Sequence, residues 1–281
     1  MAEQPGERPM HLEVHEVTAT YGARRAAQGP ASAVLRDVSV GVRRGELVAL
    51  LGANGAGKST ALKVACGLVA PTRGRVTLAG RDIAEMTRGA VARAVAVVEQ
   101  SSQPALAFTV REVVSMGRAP HQGAWMVSSD EDTSIVDEAL ARCELTGLEH
   151  RVVTELSGGE QKRVSIARAL AQTPEVLLLD EPGAFLDVRH QLALYELLLE
   201  QTRSRNLACL VVMHDLNVAA QFADRVVLLA EGRVVGDGTV EEVMTYRKLK
   251  ETFGADLYCG QNDLTGARFF LPMRARPDGD A

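Results

Sequence analysis

The sequence predicts an α/β fold in which a mostly parallel sheet is covered by helices. Three observations carry that expectation. Short, continuous apolar runs recur along the chain, at 47–51 (LVALL), 94–98 (AVAVV), 176–180 (VLLLD), 207–213 (LACLVVM) and 225–230 (RVVLLA). Such runs suit strands buried on both faces. Amphipathic helical patterns separate them, and the first run leads straight into the glycine-rich stretch GANGAGKS at 52–59.

In chain order, the polar start MAEQPGERPM carries no apolar core, so residues 1–10 are expected to be a disordered tail without an export signal. HLEVHEV places Leu12 and Val14 on one face of a half-buried strand, and VSVGV repeats the alternation at Val38, Val40 and Val42. The stretch from about Thr109 to Ala171 reads as helix without strand, a helical insert occupying about 101–171 of the α/β core. Within it, Ser128 and Glu131 have capping-box spacing, followed by Val136, Leu140 and Cys143 on one helical face. VRHQLALYELLLEQ stacks Leu192, Tyr195 and Leu199, and Thr239 with Glu242 forms another capping box. The core domain is expected to span 11–254. Residues 255–281 form an extension, with a short strand pair over 255–272 and a disordered tail after Met273.

Composition excludes some functions. Among 281 residues, 46% are hydrophobic, ample for a packed core. Aromatics are 4%, too few for base-stacking platforms, and the net charge of −5 gives no basic field for nucleic acid. No apolar run approaches the roughly 18–20 residues that span a bilayer. Cys66, Cys143, Cys209 and Cys259 are scattered without a C-x-x-C pair, as free thiols in a reducing compartment would be.

The chemistry starts at Gly52, Asn54, Gly55, Gly57, Lys58 and Ser59, which belong to a complete G-x-x-x-x-G-K-[ST] between a strand and a helix, with Thr60 following as a further nucleotide-site candidate. Glycines let backbone N–H groups curl around phosphate oxygens, and the helix N-terminus adds partial positive charge. Lys58 is placed to reach β- and γ-phosphates, and the Ser59 hydroxyl can ligate Mg²⁺. The run VLLLDEP delivers Asp180 to the carboxyl edge of the sheet as a metal ligand, and Glu181 as a base for an attacking water. His214 ends another strand and Gln100 follows AVAVV. Alone, such a histidine is more often structural and such a glutamine more often a loop residue, although both stand where they could reach the same edge.

A second glycine motif, LSGGEQ at 156–161, opens a helix with Ser157, Gly158, Gly159 and Gln161 but supplies no lysine. By itself it is either a capped helix or half of an anion site. Placed between the phosphate loop and VLLLDEP, it resembles the signature of the ATP-binding-cassette (ABC) ATPases, and the resemblance covers about 11–250. It implies a P-loop NTPase core of the ABC ATPase fold with a β-subdomain and an inserted α-helical subdomain, using ATP and Mg²⁺. It also implies Tyr21 stacking on adenine, Gln100 at the metal and water, Asp187 in the loop after the catalytic glutamate, and His214 at the γ-phosphate. Two copies paired head to tail would bring Ser157, Gly158, Gly159 and Gln161 of one over the Lys58 site of the other.

Ala53, Ala61, Glu99 and Gly183 depart from the usual family residues; Gly183 is expected to loosen the turn before Asp187. GRAPH at 117–121 resembles the GRxPH stretch of ATPases serving importers of haem, iron–siderophores and vitamin B12. That implies integral-membrane permease partners, a substrate-binding protein upstream, no nucleic acid, and a peripheral place on the cytoplasmic face of the membrane. Another cassette importer, or a soluble cassette protein, would carry the same catalytic motifs.

Overall fold

The computed structural model describes residues 9–20, 33–100, 107–122 and 129–273. Tyr21, Ser128 and the tail segments 1–8 and 274–281 lie outside them. Two strands, β1 (Leu12–Ala19) and β2 (Leu35–Val42), pair antiparallel with Leu12 opposite Val42 and Val14 opposite Val40. Strand β3 (Leu47–Leu51) starts a second sheet and runs into helix α1 (Lys58–Ala65). The first sheet is completed in the order β2-β1-β4-β5 by β4 (Arg73–Leu78) and the short β5 (Arg81–Asp82).

Helix α2 (Arg88–Ala94) then leads into β6 (Val95–Val98). Next come three packed helices, α3 (Val110–Ser115), α4 (Asp130–Arg142) and α5 (Gly158–Ala171). Between β6 and the next strand, the described residues contain no strand beyond a single bridge joining Thr109 to Val152. The core resumes with β7 (Val176–Asp180), α6 (Val188–Ser204), β8 (Ala208–Val212), α7 (Leu216–Phe222), β9 (Arg225–Ala230) and β10 (Arg233–Gly238). Two helices, α8 (Val240–Val243) and α9 (Tyr246–Phe253), precede an antiparallel hairpin of β11 (Leu257–Gln261) and β12 (Arg268–Pro272).

The central sheet has the order β10-β9-β3-β8-β7-β6, parallel except for β10. Period-2 alternation divides its side chains between two cores. Leu47, Ala49, Leu51, Leu177, Leu179, Cys209 and Val211 face the layer of α3 to α7. Val48, Leu50, Leu178, Leu210 and Val212 face α1 and the small sheet. Every residue of β3 and β8 is buried, which is why these strands read as unbroken apolar runs.

Two helical expectations shift. The capping box of α4 is Ser129 with Asp132, not Ser128 with Glu131: the Asp132 N–H donates to Ser129 Oγ at 3.1 Å and the Ser129 N–H to Asp132 Oδ2 at 3.2 Å. The second oxygen of Asp132 explains the register, because it accepts from buried Arg118 Nε at 2.7 Å while Glu131 stays exposed. In α6 the buried stripe is Leu194, Tyr195, Leu198, Gln201 and Thr202, with Leu192 and Leu199 only half-buried beside it.

The GRAPH stretch turns inward onto the end of α5. A Cβ on Gly117 would sit 2.2 Å from the Arg168 carbonyl oxygen, so only glycine allows this approach. Arg118 Nη1 donates to the Ala171 carbonyl at 2.8 Å, and a His121 ring nitrogen meets the Gln172 carbonyl at 2.8 Å. These side chains satisfy carbonyls that the helix end leaves open.

Arg118→Met is expected to strand the buried Asp132 carboxylate, costing about 3–5 kcal/mol. The melting temperature should fall by roughly 10 °C in a thermal unfolding scan; an unchanged midpoint would show the pair to be dispensable. The Arg118 guanidinium holds the Asp132 carboxyl below its ordinary range. Its stabilisation is therefore complete above that range and is lost as pH falls through the lowered folded value.

Candidate functional site

Parallel strands put their carboxyl ends at one edge, and the sequence motifs converge there. The phosphate loop follows β3, Gln100 follows β6, Asp180 ends β7 and His214 follows β8. Register fixes the convergence, since Val212 lies opposite both Leu50 and Asp180, and Val98 opposite Leu179.

The loop packs against its neighbours at a distance that glycine allows. A Cβ at Gly52 would lie 2.2 Å from the Leu229 carbonyl oxygen. Gly57 caps α1 at φ +106° with no side-chain hydrogen bond and no acidic residue in the first turn. The first N–H groups of α1 therefore keep their capacity for an anion. Lys58 is buried, and its Nζ donates to the Gly52 and Ala53 carbonyls at 2.8 and 3.1 Å. Burial lowers its pKa, against the pull of Glu181 and Asp180, so an incoming polyanion would restore its preference for the charged form. Thr60 is buried behind it, while Asn54, Gly55 and Ser59 are exposed.

Ser59, Gln100 and Asp180, the three residues expected at the metal, line one cleft of about 180 Å³. Asp180 Oδ1 is buried without a hydrogen-bond partner. An orphaned carboxylate oxygen beside a hydroxyl fits a hard divalent cation that draws its other ligands from phosphate and water. Among the described residues no cluster of three or more His, Cys, Asp or Glu could hold a metal ion.

Glu181 is the junction of the edge. Its backbone takes the left-handed conformation at φ +48°, and its N–H donates to the Val212 carbonyl at 3.1 Å. One carboxylate oxygen accepts from Gln100 Nε2 at 2.8 Å, and the other is hydrogen-bonded to His214 Nε2. Residues 81 and 33 positions apart thus meet on one carboxylate.

The signature residues lie elsewhere. Ser157 caps α5 in a full capping box with Glu160, donating from Oγ to Glu160 Oε2 at 2.7 Å. A Cβ on Gly158 would meet nothing within 4 Å, so the chain's own packing does not require glycine there. Gly159 lies against His190, and Gln161 Nε2 donates to the Leu156 carbonyl at 3.0 Å. Neither glycine lines the cleft of Ser59 and Asp180. Asp187 caps α6, accepting from the His190 N–H at 2.9 Å. In the turn before it, a Cβ on Gly183 would lie 3.0 Å from the Tyr195 ring, so the buried tyrosine occupies the space a side chain would take.

Two residues escaped the sequence reading. Phe185 is 97% exposed in the left-handed region at φ +66°, beside Leu186 and Asp187. Lys162 reaches from α5 to the carbonyls of Glu99 and Gln100. Its only sequence signal was a lysine five residues after Ser157 on an otherwise readable helix.

No helix of the described residues is long and apolar enough to cross a membrane. Residues 35–184 match the family described as ABC transporter. The chain is 42% identical over 253 residues to a hemin import ATP-binding protein of Nocardia farcinica, covering 89% of this chain and 86% of that protein. It is 42% identical over 248 residues to a cobalamin import ATP-binding protein of Halobacterium salinarum, covering 88% of this chain. It spans 62% of the length of that second relative. Its fold is similar to a chain of an inward-facing ABC transporter provisionally assigned to the metal-chelate type. The TM-score is 0.81 at 25% identity, covering 95% of this chain and 98% of the other.

Proposed function

The chain belongs to the ABC transporter family, and from that premise we propose that it is the ATP-hydrolysing subunit of an importer for haem, a ferric siderophore or cobalamin. The observation that carries the catalytic part is the single sheet edge where Lys58, the orphaned Asp180 oxygen and Glu181 with its two partners converge. The cargo class rests on the relatives and on the GRAPH stretch, now accounted for as a cap on α5.

In this reading Lys58 and the N–H groups of the loop and α1 hold the β- and γ-phosphates. Ser59 and Asp180 would hold Mg²⁺, which would supply charge to offset the phosphate oxygens. Glu181 takes a proton from the attacking water. As oxygen bonds to the γ-phosphorus, the bond to the bridging oxygen breaks and ADP leaves with inorganic phosphate. Gln100 and His214 hold the Glu181 carboxylate in position, with His214 turning to the γ-phosphate when one is present. Tyr21 packs on adenine.

The open face of Gly158 supports completion of each site by a second copy, head to tail, through Ser157, Gly158, Gly159 and Gln161. Asp187 and the exposed Phe185 lie on the loop that would follow that junction. Integral-membrane permeases grip the pair at the cytoplasmic face, and a substrate-binding protein delivers cargo on the far side.

Coexpression with candidate permeases, then reconstitution in liposomes with ATP inside, tests this. Uptake of haem, ferric siderophore or cobalamin by one such assembly is the expected result. A chain that binds no permease and hydrolyses ATP at one rate with or without membranes would be a soluble cassette protein instead.

A further inference from the structure

Lys162 lies in the second turn of α5, close behind the signature residues that open the helix. Its Nζ donates to the Gln100 carbonyl at 2.8 Å and to the Glu99 carbonyl at 3.2 Å. Both acceptors are neutral, and the 2.8 Å contact is as short as a well-formed hydrogen bond from a cation. The segment they belong to follows the end of β6 at Val98 and is not itself part of a strand. Gln100 itself spends its side-chain amide on Glu181. The main chain that carries Gln100 is thus held from outside its own strand by one ammonium on α5.

We propose that Lys162 is a positioning residue for hydrolysis: it clamps the Glu99–Gln100 main chain and thereby sets the Gln100 amide against Glu181. The inference rests on the ATPase reading above. Lys162 touches neither phosphate nor water, and acts through Gln100. A lysine suits the task because its tetrahedral ammonium presents three donors from a long stem and can hold two carbonyls at once. A glutamine at this position is shorter and carries no charge. Because Lys162 and Ser157 share one helix, any rotation of α5 that serves a partner's nucleotide is also felt at Gln100 of the same chain.

The test uses the full chain and steady-state ATP hydrolysis. Lys162→Met should lower kcat about tenfold while leaving the single-chain Kd for ATP within twofold of wild type. Lys162→Arg, which keeps charge and donors, should recover most of the lost kcat. In a Gln100→Ala background, Lys162→Met should add no further loss, since both act on one element.

A wild-type kcat in Lys162→Met, or losses that multiply in the double variant, would overturn the proposal. So would a loss confined to ATP affinity. Should the methionine variant fail to fold, Lys162→Gln, too short to span both carbonyls, is measured in its place with the same expectation. Absence of turnover in the wild type would instead overturn the ATPase reading, and would be seen before any variant is made.

Discussion

Glu181→Gln should abolish turnover while ATP binding persists. The substitution keeps the shape of the side chain but removes the base, a loss that typically costs ~10²–10⁴ in rate. Neighbouring groups are spared, since the amide oxygen can still accept from Gln100 or His214, the two partners seen on the carboxylate. With hydrolysis blocked, the nucleotide-loaded pair has no route to open through product formation. Size-exclusion chromatography with ATP and Mg²⁺ should therefore show a dimer for the variant at concentrations where the nucleotide-free chain runs as a monomer. Turnover within twofold of wild type would remove Glu181 from the role of base.

Ser157→Arg should cut turnover by ~10²–10³, the usual cost of losing a contact made to charge in the transition state. Binding of ATP to one chain should be untouched, because Ser157 bonds within its own turn and lies outside the Ser59–Asp180 cleft. Loss of the helix cap adds about 1 kcal/mol of destabilisation, readable separately by thermal melting.

Mixing decides whether the second motif acts across chains. A Ser157→Arg chain and a Lys58→Ala chain are each expected to be inactive alone. Paired with each other, they rebuild one whole site from the Lys58 of the first and the Ser157 of the second. Random pairing makes half the dimers mixed, each with one of two sites, so about a quarter of wild-type turnover should return. If the mixture stayed silent, or if Ser157→Arg abolished single-chain binding, the site would not be shared.

Much of this was legible in the sequence because it is local. A strand buried on both faces must be apolar at every position, as 47–51 is, and a loop that wraps phosphate must be glycine-rich, as 52–57 is. Asp180 and Glu181 could be placed at the sheet edge because a strand fixes where its last residue lies.

What stayed hidden depended on partners distant in the chain. The α4 cap moved by one residue because Arg118 claims Asp132 from 14 positions away. Gly183 read as a loose point, and nothing beside it in the chain showed that Tyr195 fills its space. GRAPH was legible only as a family likeness, and nothing local showed that its arginine is buried against the end of α5. Lys162 gave no periodic or motif signal, because its acceptors are main-chain carbonyls 62 and 63 positions away.

The Glu181 carboxylate is held at both ends, by Gln100 on one oxygen and by His214 on the other. An ionised carboxylate has about four acceptor positions, so this grip fixes its direction and still leaves room for a water. The two holders follow different strands, so a displacement of either one would tilt the carboxylate. Aim, more than basicity, is what this junction is built to preserve.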